Sequence, residues 1–131
     1  MIVLSNAAAQ TIQPGEYAVL DRVVTRSGCD TIWQGGAGPL HIRCGMYRLG
    51  FTGNVGGPAE TQPNLVITVD GVPLQETVMT ETVALATDVH NVHAETIRRN
   101  CFAGAVIAVK NVGTTEVALQ ANPALTVERV A

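Results

Sequence analysis

Short runs of Val, Ile, Leu and Thr follow one another along the whole chain, and each run ends at Gly, Pro, Asn or Asp. Regularly spaced runs of this kind, separated by turn residues, are typical of antiparallel sandwiches and closed sheets. The pattern therefore predicts an all-β, antiparallel sandwich of about 8–10 strands. With 131 residues, the chain is predicted to form a single domain, residues 1–131, that buries about two-thirds of its unfolded surface.

The composition is apolar for a chain of this size, with 47% hydrophobic and 15% charged residues. A small domain usually has about a quarter of its residues charged. The shortfall predicts that part of the surface is covered, and the simplest cover is another copy of the same chain. The alternative is that Ala and Val side chains lie singly on the surface of a monomer, without consequence for assembly.

The charge pattern argues against nucleic-acid and membrane partners. The net charge is −3 and the longest basic run is the pair Arg98 and Arg99, so no basic stripe could neutralise phosphates. Two Tyr, two Phe and one Trp are too few for a base-stacking platform. No apolar run approaches the length that spans a bilayer, and the N-terminus lacks the basic segment of a signal peptide. We predict that a strand begins almost at Met1.

Turn residues predict how neighbouring strands connect. Asp70 and Gly71 separate two apolar runs, which predicts a hairpin with a two-residue turn. Within residues 40–54, Gly45 predicts a bulge between two strand segments.

The second half of the chain holds three further strand regions. Residues 102–111 and 116–120 predict another hairpin, and residues 125–130 predict a final strand. Residues 81–99 are compatible with a strand or with a helical face, and we predict a strand.

His90, His93 and Glu95 form the one cluster in the sequence with metal-ligand residue types. On a strand His90 and His93 point to opposite faces. The spacing also departs from the His-x-His arrangement of the metal-binding sandwiches called cupins, and His41 is the remaining histidine. We predict surface or rim histidines; a small metal-dependent enzyme that uses this cluster is the alternative.

The usual motifs of nucleophilic catalysis are missing from the sequence. Its two serines, Ser5 and Ser27, do not lie in a Gly-x-Ser-x-Gly sequence. Asp21, Asp70 and Asp88 are isolated, which favours turn or strand-edge positions over paired catalytic acids. We therefore predict a protein that is not an enzyme and has no cofactor.

Cys29, Cys44 and Cys101 are an odd number of cysteines at wide spacing. A secreted disulfide scaffold favours an even number, and a zinc site favours close pairs. We predict buried free thiols that pack as small hydrophobic side chains. A bridge between Cys29 and Cys44 is the alternative, because a hairpin can bring the two together.

The order of these signals resembles the jelly rolls of the tumour-necrosis-factor and complement globular-head type. Residues 19–23 are similar to that family's aliphatic-Asp-x-Val element, and residues 45–47 to its Gly-Leu-Tyr-type central strand. The hairpin at residues 70–71 and the final strand at 125–130 follow in the same order. At residues 103–105 the family's Gly-Asp pair is replaced by Ala-Gly-Ala, so its Asp is missing.

This resemblance implies a homotrimer built around a threefold axis that is lined by apolar strand residues. Tyr47, Leu49 and Phe51 alternate along one strand. Together with Leu125 and Val127 they are predicted to form the subunit interface, and the core of the sandwich is the alternative position for them.

More narrowly, the chain resembles stand-alone jelly-roll proteins encoded among bacteriophage structural genes. That resemblance implies a trimeric capsid decoration or head-fibre protein, made in the host cytoplasm and located on the capsid surface of the virion. Its partners would be copies of itself, the major capsid protein or another virion component, and a host surface glycan. Loops 35–39 and 54–63 are candidates for these contacts. The alternative function is a receptor- or glycan-binding trimeric module of a bacterial surface protein.

Overall fold

Alternation of apolar and polar residues places one face of each strand against a shared core. Within residues 105–111, for example, buried and half-buried residues alternate without exception. The computed structural model describes residues 1–36 and 38–131. In this part of the chain thirteen strands and one 3-10 turn, Gln75–Thr77, form two antiparallel sheets that pack as a sandwich. The predicted all-β antiparallel sandwich is confirmed.

The first sheet has seven strands in the described chain. They are β1 (Ile2–Ser5), β2 (Gln10–Ile12), β3 (Arg22–Arg26), β6 (Gly45–Gly56), β10 (His90–Asn100), β12 (Val117–Leu119) and β13 (Ala124–Arg129). One edge of the long strand β6 pairs with β10, and its other edge pairs first with β13 and then with β12. β1 pairs with β13 and β3, and β2 pairs with β12.

The second sheet has six strands in the same described part. They are β4 (Thr31–Ile32), β5 (Leu40–Ile42), β7 (Asn64–Val69), β8 (Val72–Pro73), β9 (Met79–Thr80) and β11 (Ala105–Asn111). β11 pairs with β5 on one edge and with β7 on the other. β4 extends the sheet beyond β5, and β8 and β9 extend it beyond β7.

The core lies between the two sheets and is complete within one chain. Its largest fully buried side chains include Tyr47, Phe51, Ile2, Ile12, Ile42 and Leu49. The accessible surface is 6481 Å², close to the value of about 6,600 Å² that is normal for a compact monomer of this mass. The chain therefore does not need a partner to cover its core.

The hairpin at Asp70 and Gly71 is confirmed. Val69 and Val72 are paired across the turn. Asp70 has φ +51° and Gly71 has φ +80°, which is the left-handed pair that a type I′ turn requires. The final strand is also present, as β13.

Two predicted connections are wrong because each joins strands of different sheets. Gly45 is not a bulge within one strand: β5 belongs to the second sheet and β6 to the first, so the chain changes sheet just before Gly45. Likewise, β11 and β12 do not form a hairpin, since β12 pairs with β2 and β6 in the first sheet. Residue spacing indicates where a strand ends, but a crossing between sheets leaves the same pattern as a bulge or a turn.

Three smaller predictions are changed by the structure. Residues 81–99 are a strand only from His90 onward, and the preceding part has turns and one isolated bridge between Val83 and Thr61. The loop expected at 54–63 starts at Gly57, because β6 continues through Gly56. The loop expected at 35–39 contains Ala37, which lies outside the described residues.

The predicted free state of the cysteines is confirmed, but their predicted burial is wrong. Cys29, Cys44 and Cys101 are free and all three are exposed. Each lies outside the strands, in segments that lead from one strand to the next. The three cysteines are exposed because these connecting segments lie at the ends of the sheets, away from the core.

Candidate interaction surface

The side of the first sheet that faces away from the core is a continuous surface of five strands, which we call the outer face. The strands lie in the order β10, β6, β13, β1 and β3. Side chains that alternate with the core residues point outward on these strands. They are Val3, Thr25, Arg48, Gly50, Thr52, His93, Glu95, Ile97, Thr126 and Glu128.

The middle of the outer face carries charges that neutralise each other. Arg48 Nε lies 3.3 Å from Glu95 Oε1, and its Nη1 lies 3.7 Å from Glu128 Oε2. Glu95 and Glu128 come from the strands on either side of Arg48. Exposed ion pairs of this kind contribute at most about 1 kcal/mol to stability. Their consequence here is that the central cation is already paired within the chain.

Small and apolar residues surround this ion-pair group. Gly50 and Thr126 lie opposite each other on β6 and β13, and with His93 they line a shallow depression of about 120 Å³. Ile97 on β10 is 53% exposed and lies opposite Arg48, so an aliphatic side chain flanks the group on this side of the face. Few free charges with exposed aliphatic side chains are features of protein contact surfaces.

The five residues predicted as the subunit interface do not lie on the outer face. Their side chains are 0–1% exposed and belong to the hydrophobic core: Tyr47, Leu49, Phe51, Leu125 and Val127. The alternative position is therefore the observed one, because period-two spacing identifies the shared face of a strand but not which side of the sheet meets a partner. Any interface on this sheet must use the residues between them.

Tyr47 shows why this core position suits a tyrosine. Its hydroxyl donates a hydrogen bond to the Asp30 carbonyl oxygen at 3.1 Å, next to the start of β4. Burial raises the pKa of Tyr47 above its ordinary value, and the negative charge of Asp30 acts in the same direction. The neutral phenol links the first sheet to the residue that precedes β4 of the second.

An open cavity of about 560 Å³ lies beside β11 of the second sheet. It lies between Leu40 at the start of β5 and Ala18, whose N–H donates to the Val109 carbonyl. Asp70 in its lining already accepts a hydrogen bond from the Val106 N–H at 2.8 Å. The cavity offers mainly apolar surface, and this gives little support to the glycan-binding alternative, since sugars need polar partners.

The histidine cluster is divided by the strand geometry. In β10, His93 pairs with Thr52 and lies on the outer face, whereas His90 lies on the other side of the same strand. Among the described residues no group of three or more His, Cys, Asp or Glu is placed to hold a metal ion. His41 lies in the other sheet, where its Nδ1 is 2.9 Å from the Gly104 carbonyl oxygen.

Arg98 connects β10 to the 3-10 turn through a two-point ion pair. Its Nε and Nη2 lie 2.7 and 2.9 Å from the two carboxylate oxygens of Glu76. Thr96 Oγ1 also donates to Glu76 Oε2 at 3.1 Å. The hydrogen bond from Arg98 is the largest cause that lowers the pKa of Glu76.

Glu76→Gln is expected to lower the free energy of unfolding by up to about 1 kcal/mol at neutral pH. Because the pKa of Glu76 is lower in the folded chain than in the unfolded chain, the stabilisation is present above the ordinary glutamate pKa and is lost as the pH falls through the folded pKa. Urea unfolding at neutral pH and at about pH 3 measures the difference. Glu16→Gln, at an exposed position, is the control. An equal loss at both pH values would contradict the prediction.

Two features of the surface and core were missed by the sequence analysis. The ion pairs of Arg48 could not be predicted, because the two glutamates are distant from Arg48 in sequence and reach it only through strand pairing. Asn111 is fully buried, and its amide bonds to the backbone of Ile12 and Thr115. The nearby Val112 and Gly113 marked a turn, and an Asn before such a turn is a usual capping residue, so this signal was present.

In the part of the chain that the structure describes, no helix is long and apolar enough to cross a membrane.

Comparison by sequence finds no matching family model and no matching curated protein. By structure, Eiger TNF from S. frugiperda has a TM-score of 0.74 at 10% identity, covering 99% of this chain and 91% of that one. The globular domain of zebrafish complement 1qA protein has a TM-score of 0.73 at 10% identity, covering 99% and 96%. The PRD1 vertex protein has a TM-score of 0.54 at 11% identity, covering 99% and 94%. The fold is thus the jelly roll of the tumour-necrosis-factor and complement globular-head type, as the sequence resemblance implied.

Proposed function

We propose that this chain is a homotrimeric structural protein on the outside of a virion, a capsid decoration or head-fibre protein of a bacteriophage. The outer face carries the first part of this proposal. It combines exposed aliphatic residues with an internally neutralised ion-pair group, on a chain with only 15% charged residues. The fold supports the same idea, since the sequence resemblance implies a trimer around a threefold axis.

A rotational assembly suits this surface. In a ring of three identical chains, each subunit uses two different patches, one for each neighbour. The outer face is one patch, and the edge of the sheet at β10 or β3 supplies the other. A stable contact buries about 800 Å² on each partner, so face and edge must both take part. The core of each subunit is complete before assembly, so dissociated subunits are expected to remain folded.

The mass in solution tests the trimer directly. One chain is 13.7 kDa, so three chains give 3 × 13.7, or 41.1 kDa. Light scattering during dilution to sub-micromolar concentration should show the trimer mass with a concentration-dependent loss only at the lowest concentrations. A monomer mass at every concentration would overturn the proposal.

Ile97→Arg is expected to shift the mass from trimer to monomer without unfolding the chain. Ile97 is 53% exposed on the outer face, and a buried unpaired cation at an interface costs several kcal/mol of association energy. The matched control is Val72→Arg, because Val72 is 64% exposed on β8 of the other sheet. Light scattering and circular dichroism of both variants make the measurement. Dissociation by both variants, or by Val72→Arg alone, would place the interface elsewhere.

The virion part of the proposal has a separate test. The chain is co-expressed with the major capsid protein encoded in the same genome, and assembled shells are collected by sedimentation. We expect the wild-type chain to sediment with the shells at a fixed ratio of copies to capsid protein. Shells that leave the protein in the supernatant would overturn the virion role while leaving the trimer result intact. The structural likeness to a protein named for a vertex supports the choice of this test.

A further inference from the structure

Two of the three cysteines lie opposite each other at one end of the sandwich, where β6 begins and β10 ends. The last paired residues of these strands are Gly45 and Asn100. Cys44 directly precedes Gly45 and Cys101 directly follows Asn100 in the chain, so both lie just beyond the end of this ladder. Cys44 Sγ donates a hydrogen bond to the Cys101 carbonyl oxygen at 3.3 Å. The Cys44 thiol therefore already points across to the backbone of Cys101.

The hydrogen-bond pattern at the end of the two strands favours a short distance between the residues that come next. The Met46 N–H donates to the Ala131 carbonyl, so the polar backbone groups of Met46 face away from β10 and those of Gly45 face toward it. Continued by one position, the alternation would make the place next to Gly45 and Asn100 a non-hydrogen-bonded one, the class with Cα atoms about 4.5 Å apart. Disulfides span Cα separations of about 4.4–6.8 Å. A bridge therefore suits this position without a large movement of the backbone.

Both thiols are open to a reagent from solution. Cys44 and Cys101 are exposed and unbridged. An open depression of about 450 Å³ is lined by both, and Arg99 also contributes to its lining. A cation at this position attracts an anionic disulfide such as that of glutathione.

We infer that Cys44 and Cys101 are a reversible thiol–disulfide pair that reacts with small-molecule disulfides. The thiolate of one cysteine attacks a sulfur of glutathione disulfide, which forms a mixed disulfide and releases one glutathione thiolate. The thiolate of the other cysteine then attacks the protein sulfur of the mixed disulfide and releases the second glutathione. Two electrons pass from the protein to the glutathione disulfide, and the two thiol protons end on the released glutathiones. This inference does not depend on the proposed virion role.

Cys29 is the competing partner at the same end of the sandwich. Its carbonyl oxygen accepts a hydrogen bond from Arg43 Nε at 2.8 Å, so its backbone is held near Cys44. The Arg43 N–H donates to the Asp30 carbonyl oxygen at 3.0 Å, so the register of β4 and β5 continues beyond Thr31 and places Cys29 opposite Cys44. The Cys44 thiol, however, hydrogen-bonds to Cys101. The bridge between Cys29 and Cys44 that the sequence left open is therefore the alternative outcome of the test.

Peptide mapping separates these outcomes, because cleavage after Lys and Arg places the cysteines in three different peptides, residues 27–43, 44–48 and 100–110. The whole chain is equilibrated with glutathione and glutathione disulfide at several ratios, alkylated, digested and analysed by mass spectrometry. We expect peptide 44–48 linked to peptide 100–110 with the loss of two hydrogens, and complete reversal by excess glutathione. Cys29→Ser should keep this link, and Cys44→Ser should abolish it.

The oxidised chain should also unfold at a higher temperature than the reduced chain. The bridge closes a loop of 57 residues, so we expect an increase of at least about 5 °C in Tm. Cys101→Ser should show no such difference between the two conditions. A link between peptides 27–43 and 44–48, links only between separate chains, or glutathione adducts without any link would each overturn the inference.

Discussion

Phe51→Ala is expected to lower the free energy of unfolding by about 3–5 kcal/mol, the usual cost of removing an aromatic ring from a core. Phe51 is 1% exposed and lies on the central strand β6. Space next to it is already used: a Cβ added at Gly53 would lie 3.4 Å from the Phe51 ring and 3.0 Å from Leu119 Cδ1. The surroundings belong to paired strands, so they cannot collapse into the cavity.

The matched control for Phe51→Ala is Phe102→Ala. Phe102 is the other phenylalanine of the chain, and it is 77% exposed between β10 and β11. Its removal should change the free energy of unfolding by less than about 0.5 kcal/mol. The comparison is made by chemical denaturation at a chain concentration at which light scattering shows a monomer. A loss below about 1 kcal/mol for Phe51→Ala would mean that the ring does not pack in the core.

Asn111→Asp is expected to destabilise the chain by about 3 kcal/mol or more at neutral pH. Asn111 is 0% exposed. Its Nδ2 donates to the carbonyl oxygens of Ile12 and Thr115, both at 2.9 Å, and its Oδ1 accepts from the Gly113 N–H at 2.9 Å. A carboxylate has the same shape but no donor, so it would place a buried negative charge against two carbonyl oxygens.

The pH dependence of Asn111→Asp distinguishes this cause from a general packing defect. Burial favours the neutral acid, so the pKa of the new carboxyl is raised in the folded state. The destabilisation should then shrink as the pH falls below that pKa, since a protonated acid can donate one hydrogen bond. Denaturation at pH 7 and at about pH 4 checks the sign. Asn54→Asp, at an exposed position on β6, should show little loss at either pH.

Asn111 also explains why the hairpin expected between residues 102–111 and 116–120 does not form. Its amide holds the chain where it leaves β11 and passes to the other sheet, through bonds to Ile12 and Thr115. Both strands were recognisable from their apolar residues. Their partners were not, because sequence neighbours form a hairpin or change sheet with similar turn residues between them.

The predicted subunit interface shows a similar limit to what residue alternation can predict. The alternation of Tyr47, Leu49 and Phe51 correctly placed their side chains on one face of a strand. Whether that face meets the opposite sheet or another subunit depends on where the second sheet lies. The outer face could not be predicted from the sequence. Arg48, Glu95 and Glu128 are far apart in the chain, and only strand pairing brings them together.

Local chemistry in the chain was sufficient for the all-β class, the hairpin at Asp70 and Gly71, the final strand and the family of jelly rolls that the fold resembles. These features depend on residue alternation and turn preference, which act over a few neighbouring residues. Four other features required the folded chain. They are the sheet to which each strand belongs, the buried positions of the five apolar residues, the ion pairs of Arg48, and the contact between Cys44 and Cys101. They depend on contacts between residues far apart in sequence, and alternation alone carries no information about which distant strands become neighbours.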